Sequence, residues 1–240
     1  MVGQSAHAYN ELAPVTTILP RIAVVTGGHS FDVPGFQALV KGLKECEPVI
    51  QHLDDFASSP RSVRQGYDAV LFYFMPLAGP TDDGDEWFRG KPATAIGDLG
   101  STKQGILVLH HAILAYRDSP LWASVVGITD RSFTYHPGEK ITVRVTDPGH
   151  SITRGLADWE MTDETYLMSS PGSDSHALLS CDNPRSMKTV GWVRQHGKSR
   201  VFCLSLGHDA VAWASPGFRE VLSRGVLWSL GSGLTNAVID

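Results

Sequence analysis

Short runs of β-branched and other apolar residues alternate along the chain with stretches in which apolar residues recur three or four positions apart. Apolar runs bounded by glycine or proline are typical of buried strands, and helical spacing places apolar residues in one stripe. The runs predict eight strands, at residues 21–26, 48–53, 67–74, 105–109, 141–145, 177–181, 190–193 and 200–206.

Two stretches have the signals of helices with one buried face. Pro34 suits the first turn of a helix, and the stripe that follows it is Phe36, Leu39, Val40 and Leu43. Near the C-terminus Ser215 can cap a helix whose first position is Pro216. The stripe of this second helix is Phe218, Val221, Leu222, Gly225 and Val226.

The alternation of strands and helices predicts one α/β domain over residues 21–240, a flavodoxin-like three-layer sandwich with a mostly parallel central sheet. Residues 1–20 are interpreted as an N-terminal extension, and residues 79–92 as a largely polar surface loop. Residues 141–145 alternate between apolar and polar positions, as a half-exposed strand does. We therefore interpret residues 127–155 as an edge excursion of the same domain.

Composition and charge exclude several classes of partner. The net charge of −5 offers no basic footprint for nucleic acid, and no apolar stretch approaches the ~20 residues that a membrane helix needs. The first twenty residues lack the apolar core of a signal peptide. Cys46, Cys181 and Cys203 are too widely spaced for a disulfide framework and are predicted to be buried free thiols. These features predict a cytoplasmic protein with neither a nucleic-acid nor a membrane partner.

Histidines follow three of the predicted strands: His29 in Gly27-Gly28-His29, the pair His110-His111, and His208. In open α/β sheets ligands bind outside the carboxyl ends of the strands. A lone histidine is more often a core or loop residue satisfied by backbone hydrogen bonds, but three at strand ends favour a shared site. Imidazole can act as an acid, a base or a metal ligand near neutral pH.

Carboxylates accompany these histidines. Asp32, Glu164 and Asp209 could orient the rings or share a metal ion. For Asp209, a helix cap is an equally good interpretation. Glu164 belongs to a polar cluster at residues 162–166, which we place in an irregular stretch.

Several nucleotide and hydrolase motifs are absent from the sequence. It contains no Gly-x-Gly-x-x-Gly and no Gly-x-x-x-x-Gly-Lys-Ser/Thr phosphate loop. It also contains no Gly-x-Ser-x-Gly elbow, which disfavours an α/β-hydrolase esterase.

Seven short segments, in order, resemble the trehalose-utilisation (ThuA-like) family, and they span nearly all of residues 21–231. They are Gly27-Gly-His-Ser-Phe31, Gly105-Ile-Leu-Val-Leu-His-His-Ala112, His150-Ser-Ile-Thr-Arg-Gly-Leu156, Asp163-Glu-Thr-Tyr166, Gly197-Lys-Ser-Arg-Val-Phe202, Leu206-Gly-His-Asp209 and Arg224-Gly-Val-Leu-Trp228.

The resemblance implies a fold similar to class I glutamine amidotransferases and a link to the catabolism of 3-keto-disaccharides or glycosides. Amidotransferases of this fold place a nucleophilic cysteine after the strand that here ends at Leu109. In this sequence His110 occupies about that position, with no cysteine nearby. A thioester mechanism would lack its nucleophile, so glutaminase activity is not expected.

The chemistry that fits is acid–base work on a keto-sugar, by an isomerase, lyase or hydrolase, because the ketone makes the neighbouring C–H acidic. The predicted catalytic residues are His29, His111, His208, Glu164 and Asp209, and the predicted substrate-binding residues are His110, Asp32, Tyr166 and Trp213. The same three histidines, His29, His111 and His208, are the predicted ligands of an optional divalent metal ion, zinc or manganese, that would polarise the ketone. Ordinary packing is at least as good an interpretation of the two aromatic residues.

Two alternatives stay open at this stage. The chain could be a non-catalytic sugar-binding protein on an amidotransferase-like scaffold, or a hydrolase that uses Ser30 beside His29. The expected partner is a small sugar or glycoside, and formation of a homo-oligomer is left open.

Overall fold

The computed structural model describes residues 18–83 and 90–231. These residues contain one nine-stranded sheet with the strand order β2-β1-β3-β4-β9-β8-β7-β5-β6. The strands are β1 (Arg21–Gly27), β2 (Glu47–His52), β3 (Ala69–Phe74), β4 (Gly105–Leu109), β5 (Phe133–Val145), β6 (Trp159–Met168), β7 (His176–Cys181), β8 (Thr189–His196) and β9 (Ser199–Leu204). Residues 1–17 of the predicted extension and part of the predicted loop at 79–92 lie outside the described residues.

The described part of the chain contains seven α-helices and one 3-10 helix. The α-helices are α1 (Val33–Lys41), α2 (Leu53–Ser58), α3 (Arg61–Arg64), α4 (Pro92–Gly97), α5 (Pro120–Val126), α6 (Ala210–Trp213) and α7 (Pro216–Ser229). The 3-10 helix, His110–Leu114, begins directly after β4.

The parallel half of the sheet agrees with the sequence prediction. Strands β2, β1, β3, β4 and β9 run parallel to one another. All six residues of β3 are buried, as the continuous apolar run predicts for a strand covered on both faces. The carboxyl ends of these strands therefore meet at one edge of the sheet.

The other half corrects the prediction of a mostly parallel sheet. Strands β9, β8, β7, β5 and β6 pair antiparallel, so the sheet is mixed. For the β8–β9 pair the reason is the length of the connection, because a parallel crossover needs about a dozen residues or more. Only Gly197 and Lys198 separate β8 from β9, and Gly197 has a φ of 55°. A link this short can only close a hairpin.

Two further predictions concern this antiparallel half. The strand predicted at residues 141–145 is the end of the longer β5, which lies between β7 and β6 in the sheet. The polar cluster at residues 162–166, expected in an irregular stretch, lies within β6 instead. The residues of β6 lack the apolar pattern of a strand because several of them are polar and belong to the site described below.

The two predicted helices are confirmed. The Asp32 side chain accepts a hydrogen bond from Gly35 N at 3.0 Å and caps α1. The Ser215 side chain caps α7, whose buried residues include the whole predicted stripe. Gly225 of α7 lies against the ring of Phe202 in β9, so the helix packs closely on the sheet.

The described residues contain no helix that is long and apolar enough to cross a membrane. Cys46, Cys181 and Cys203 are free and buried, as predicted. Cys203 lies within β9, in register with Val108 of β4, so its thiol is inside the sheet rather than at a strand end.

Candidate active site

Four segments bring histidines and one glutamate together above the sheet. His29 follows β1, His110 and His111 follow β4, and His208 follows β9. The ring centroids of His29 and His111 are 4.5 Å apart, and those of His110 and His208 are 5.1 Å apart. Glu164 comes from β6, at the far edge of the sheet, and its carboxylate contacts both His110 and His208. The predicted convergence of the three strand ends is therefore present in the structure.

His110 is held in an unusual backbone conformation. Its φ is 51°, in the left-handed region that non-glycine residues rarely adopt. Such a conformation costs about 1–3 kcal/mol and persists only where the surroundings impose it. Here the imidazole is fully buried, and its Nδ1 lies 2.8 Å from the carbonyl oxygen of Ser205. Because a carbonyl only accepts hydrogen bonds, Nδ1 carries the proton in this contact.

The other nitrogen of His110, Nε2, faces the rest of the cluster. It lies 2.6 Å from the Tyr166 hydroxyl, 3.1 Å from His208 Nδ1 and 3.6 Å from Glu164 Oε1. His208 Nδ1 is 3.5 Å from the same Glu164 oxygen. We call His110, Glu164 and His208 the His–Glu–His cluster. It is a compact set of groups that can exchange protons.

Burial and neighbouring charges set the protonation of the cluster. Burial alone would raise the pKa of Glu164, but its contacts with His110 and His208 outweigh burial and lower that pKa. Burial, together with the imidazole of His110, lowers the pKa of His208, and Glu164 opposes this only in part. The resulting state at neutral pH is a carboxylate beside a neutral imidazole.

Asp163, which the sequence prediction did not include, fixes the loop that carries His208. Its side chain is 2% exposed and accepts hydrogen bonds from Gly207 N at 2.7 Å and His208 N at 3.0 Å. Burial raises the pKa of Asp163, while His110 and these N–H donors oppose the rise. The polar cluster at residues 162–166, which contains Asp163, was the sequence signal that pointed to this segment.

The Gly207 backbone allows this arrangement. Its φ of 108° is accessible to glycine, and a Cβ atom there would lie 2.7 Å from the Phe218 ring. Its carbonyl accepts a hydrogen bond from Trp213 Nε1 at 2.8 Å, and the Tyr73 hydroxyl donates to the carbonyl of His208 at 2.9 Å. Hydrogen bonds therefore hold the loop at the backbone of both Gly207 and His208.

His111 lies beside the cluster but not in it. Its ring is 1% exposed, and neither ring nitrogen has a hydrogen-bond partner among the described residues. Burial and, after it, the neighbouring imidazoles lower the pKa of His111 to about 2, so the ring is neutral. The exposed His29 stacks on it with an interplanar angle of 24°. Of the two adjacent histidines, His110 is the one that faces Glu164.

Three of the predicted site residues cap helices or pack in the core. Asp32 and Asp209 are exposed helix caps, and the Asp209 side chain accepts hydrogen bonds from Val211 N and Ala212 N. Trp213 is 2% exposed and packs among Phe36 and Tyr73, so its ring presents no free face for a sugar. Tyr166 is buried within hydrogen-bond distance of His110.

One group of three potential metal ligands occurs among the described residues. The ligand atoms of His110, Glu164 and His208 all lie within 4.8 Å of one another. The predicted ligands shared only His208 with this group. His29 and His111 stack face to face instead, and the structure brings His110 and Glu164 to the position expected for them.

The sequence model of the ThuA family, described as trehalose utilisation, matches residues 62–229. Comparison with curated proteins gave no match.

Solved structures share the fold at low sequence identity. A putative ThuA-like protein from Parabacteroides merdae superposes with a TM-score of 0.72 at 16% identity, over 92% of this chain and 93% of that one. A second, from Bacteroides uniformis, has a TM-score of 0.67 at 15% identity, over 92% and 95% of the two chains. PurLQS from Thermotoga maritima has a TM-score of 0.56 at 14% identity, over 88% and 99%. These likenesses confirm the predicted amidotransferase-like architecture as a fold.

Proposed function

The chain belongs to the ThuA family, and from that premise we propose that it is an enzyme of carbohydrate catabolism that performs acid–base chemistry on a 3-keto-disaccharide or 3-keto-glycoside. The family description supports a carbohydrate-related role, and the site supplies the chemistry. The proposed enzyme is an isomerase, lyase or hydrolase and not a glutaminase, since His110 follows β4 where a nucleophilic thiol would be needed.

One observation carries this proposal: a carboxylate and two imidazoles from three separate elements meet within hydrogen-bond or ion-pair distance. General acid–base catalysis needs a base and an acid placed together with suitable protonation. Glu164, whose pKa is lowered, is deprotonated and can accept a proton. His208, with 29% of its side chain exposed, can reach a substrate.

Exposure separates the proposed roles within the cluster. The Glu164 side chain is 12% exposed and the His110 side chain is not exposed at all. We therefore assign contact with the substrate to Glu164, His208 and the exposed His29. His110 is a positioning residue that acts through the other two. Buried His111 would act in the same indirect way.

The proposed reaction begins at the carbon next to the ketone. Glu164 takes the proton from that carbon, and the C–H electron pair moves into an enediolate. Transfer of the hydroxyl proton between the two enediolate oxygens, followed by reprotonation at the former ketone carbon, gives isomerisation. Alternatively, the electron pair expels the glycosidic oxygen, which takes up the proton that Glu164 removed, passed on through His208. Addition of water to the resulting double bond then completes a net hydrolysis.

Turnover of defined substrates tests the proposal. The purified protein is incubated with 3-keto-trehalose or a 3-keto-glucoside, and product is followed by NMR. We expect Glu164→Gln to lower kcat by about 10²–10⁴-fold, the usual contribution of a general base. His208→Ala should lower kcat as well. His176→Ala is the matched control, because His176 forms a histidine–aspartate pair with Asp147 on the surface, away from the cluster.

Three results would contradict the proposal. Unchanged turnover in both cluster variants would remove these residues from the reaction. Saturable sugar binding by calorimetry with no product would favour the non-catalytic sugar-binding alternative. Labelling of Ser30 by a serine-directed phosphonate, with loss of turnover, would favour the serine hydrolase.

A further inference from the structure

We propose that the His–Glu–His cluster is a binding site for one divalent transition-metal ion, of the zinc class, with a fourth coordination position open to a substrate oxygen. The site is the one described above, so its catalytic use rests on the proposed function. Binding of the ion itself does not require that function and can be measured separately.

The separations of the three ligand atoms match those that a tetrahedral ion imposes. His110 Nε2, His208 Nδ1 and Glu164 Oε1 are 3.1, 3.6 and 3.5 Å apart in pairs. Zinc binds nitrogen and oxygen at about 2.0–2.2 Å, which separates tetrahedral ligand atoms by about 3.3–3.5 Å. A point about 2.0 Å from all three atoms therefore exists, at the bond length that zinc prefers.

The surrounding contacts orient two ligands in the way that metal sites do. A metal-binding histidine usually donates its second ring N–H to a carbonyl or carboxylate, which fixes the tautomer. His110 Nδ1 makes this contact with the Ser205 carbonyl, and its Nε2 is left to accept. The His208 backbone is held on one side by Asp163 and on the other by Tyr73. The His110 imidazole and the backbone of His208 are thus positioned before any ion binds.

The donor set points to the class of ion. Two imidazoles and one carboxylate suit zinc, manganese, cobalt or nickel, whereas calcium and magnesium prefer sites built from oxygen alone. Three protein ligands with one open position are typical of catalytic rather than structural zinc sites. Glu164 and His208 are partly exposed, so the open side faces solvent. A ketone oxygen bound there would be polarised, which makes the adjacent C–H more acidic, and Glu164 would take that proton through the carboxylate oxygen that does not bind the ion.

A hydrogen-bond network without a metal ion is the competing explanation for the same contacts. The Tyr166 hydroxyl lies 2.6 Å from His110 Nε2 and can donate to it, and a proton on His208 Nδ1 can bridge to Glu164. An ion would occupy the Nε2 lone pair of His110 and displace the proton from His208 Nδ1, so the hydroxyl of Tyr166 would have to donate elsewhere. Measurement of ion binding separates the two explanations.

The test uses the full-length protein stripped of metal with a chelator. Zn²⁺ binding is measured by calorimetry, and Co²⁺ is used as a visible probe, because four-coordinate cobalt absorbs strongly while hydrated cobalt does not. We expect one ion per chain and an intense cobalt band. Loss of an orienting neighbour alone weakens metal binding by about 10–100-fold, so Glu164→Gln and His208→Ala should each weaken it by at least about a hundredfold. His176→Ala should bind like the unmodified protein.

The outcomes are distinct from those of the turnover test. One ion per chain that is lost in both cluster variants supports the site, whether or not a keto-sugar is consumed. Absence of binding at millimolar Zn²⁺, or binding unchanged in both variants, overturns it. Full turnover by chelator-treated, metal-free protein would preserve the proposed function and overturn a catalytic role for the ion. Equal melting temperatures of the metal-free proteins show that lost binding is not lost folding.

Discussion

Replacement of Asp163 by asparagine is the substitution whose effect the structure specifies most closely. One carboxylate oxygen accepts from His208 N at 3.0 Å and from Glu164 N at 2.9 Å, and the other accepts from Gly207 N at 2.7 Å. An amide can keep only one of these oxygens. In the better orientation its NH₂ group replaces the second oxygen and faces the N–H of Gly207, so two donors meet in a buried space.

The expected loss follows from that single contact. A hydrogen bond to a charged acceptor contributes about 1.5–3 kcal/mol, and a buried donor left unpaired costs about 1–3 kcal/mol. The lower desolvation cost of a neutral amide offsets part of this sum. We expect Asp163→Asn to lower the free energy of unfolding by about 2–4 kcal/mol.

Urea unfolding followed by tryptophan fluorescence measures this loss, with linear extrapolation and a check that the slope is unchanged. Asp182→Asn is the matched control, because Asp182 is 64% exposed and accepts a hydrogen bond from Arg144 on the surface. An exposed pair contributes about 0–1 kcal/mol. A loss for Asp163→Asn no larger than that of the control would refute the assignment of Asp163 as the residue that holds the His208 loop.

Three further predictions concern packing and burial. His111→Phe removes two buried, unpaired nitrogen atoms. It should leave the free energy of unfolding unchanged or raise it by about 1 kcal/mol. A loss above that size in urea unfolding would reveal an undetected partner of the ring. Gly225→Ala should lower the free energy of unfolding by about 1–3 kcal/mol through overpacking, while Gly97→Ala, in a helix position where an added Cβ meets nothing within 4 Å, should raise it by about 0.5–1 kcal/mol. The reverse order in thermal melts would contradict this packing. Burial raises the pKa of Cys46 to about 12 and that of Cys203 further, so neither thiol should react with a disulfide reagent at pH 8 until denaturant is added, and fast labelling of the native protein would show that they are accessible.

Local patterns predicted the elements well because each pattern depends on nearby residues. The strand predicted at residues 105–109 has the bounds of β4, and the predicted stripe of α7 is buried throughout. The direction of pairing was wrong for half of the sheet, since an apolar run does not reveal the direction of its neighbour. The two-residue link between β8 and β9 contained that information, because it can only form a hairpin.

The sequence predicted which strand ends form the site. It did not predict which side chains face one another there. The sequence places His110 and His111 side by side, and nothing in it indicates that His110 adopts a φ of 51° and turns toward Glu164. The role of Asp163 depends on contact between β6 and the loop after β9, which are far apart in strand order. Contacts of this kind join segments that are distant in strand order, and no local pattern encodes them.

The position of Glu164 on an edge strand has a consequence for the order of refolding. Four strand pairings separate β6 from β9, so the carboxylate reaches the imidazoles only after the antiparallel strands have all docked in register. Pairings between distant parts of a chain form slowly. During renaturation, recovery of activity should therefore lag behind recovery of the buried tryptophan signal from Trp122 and Trp192.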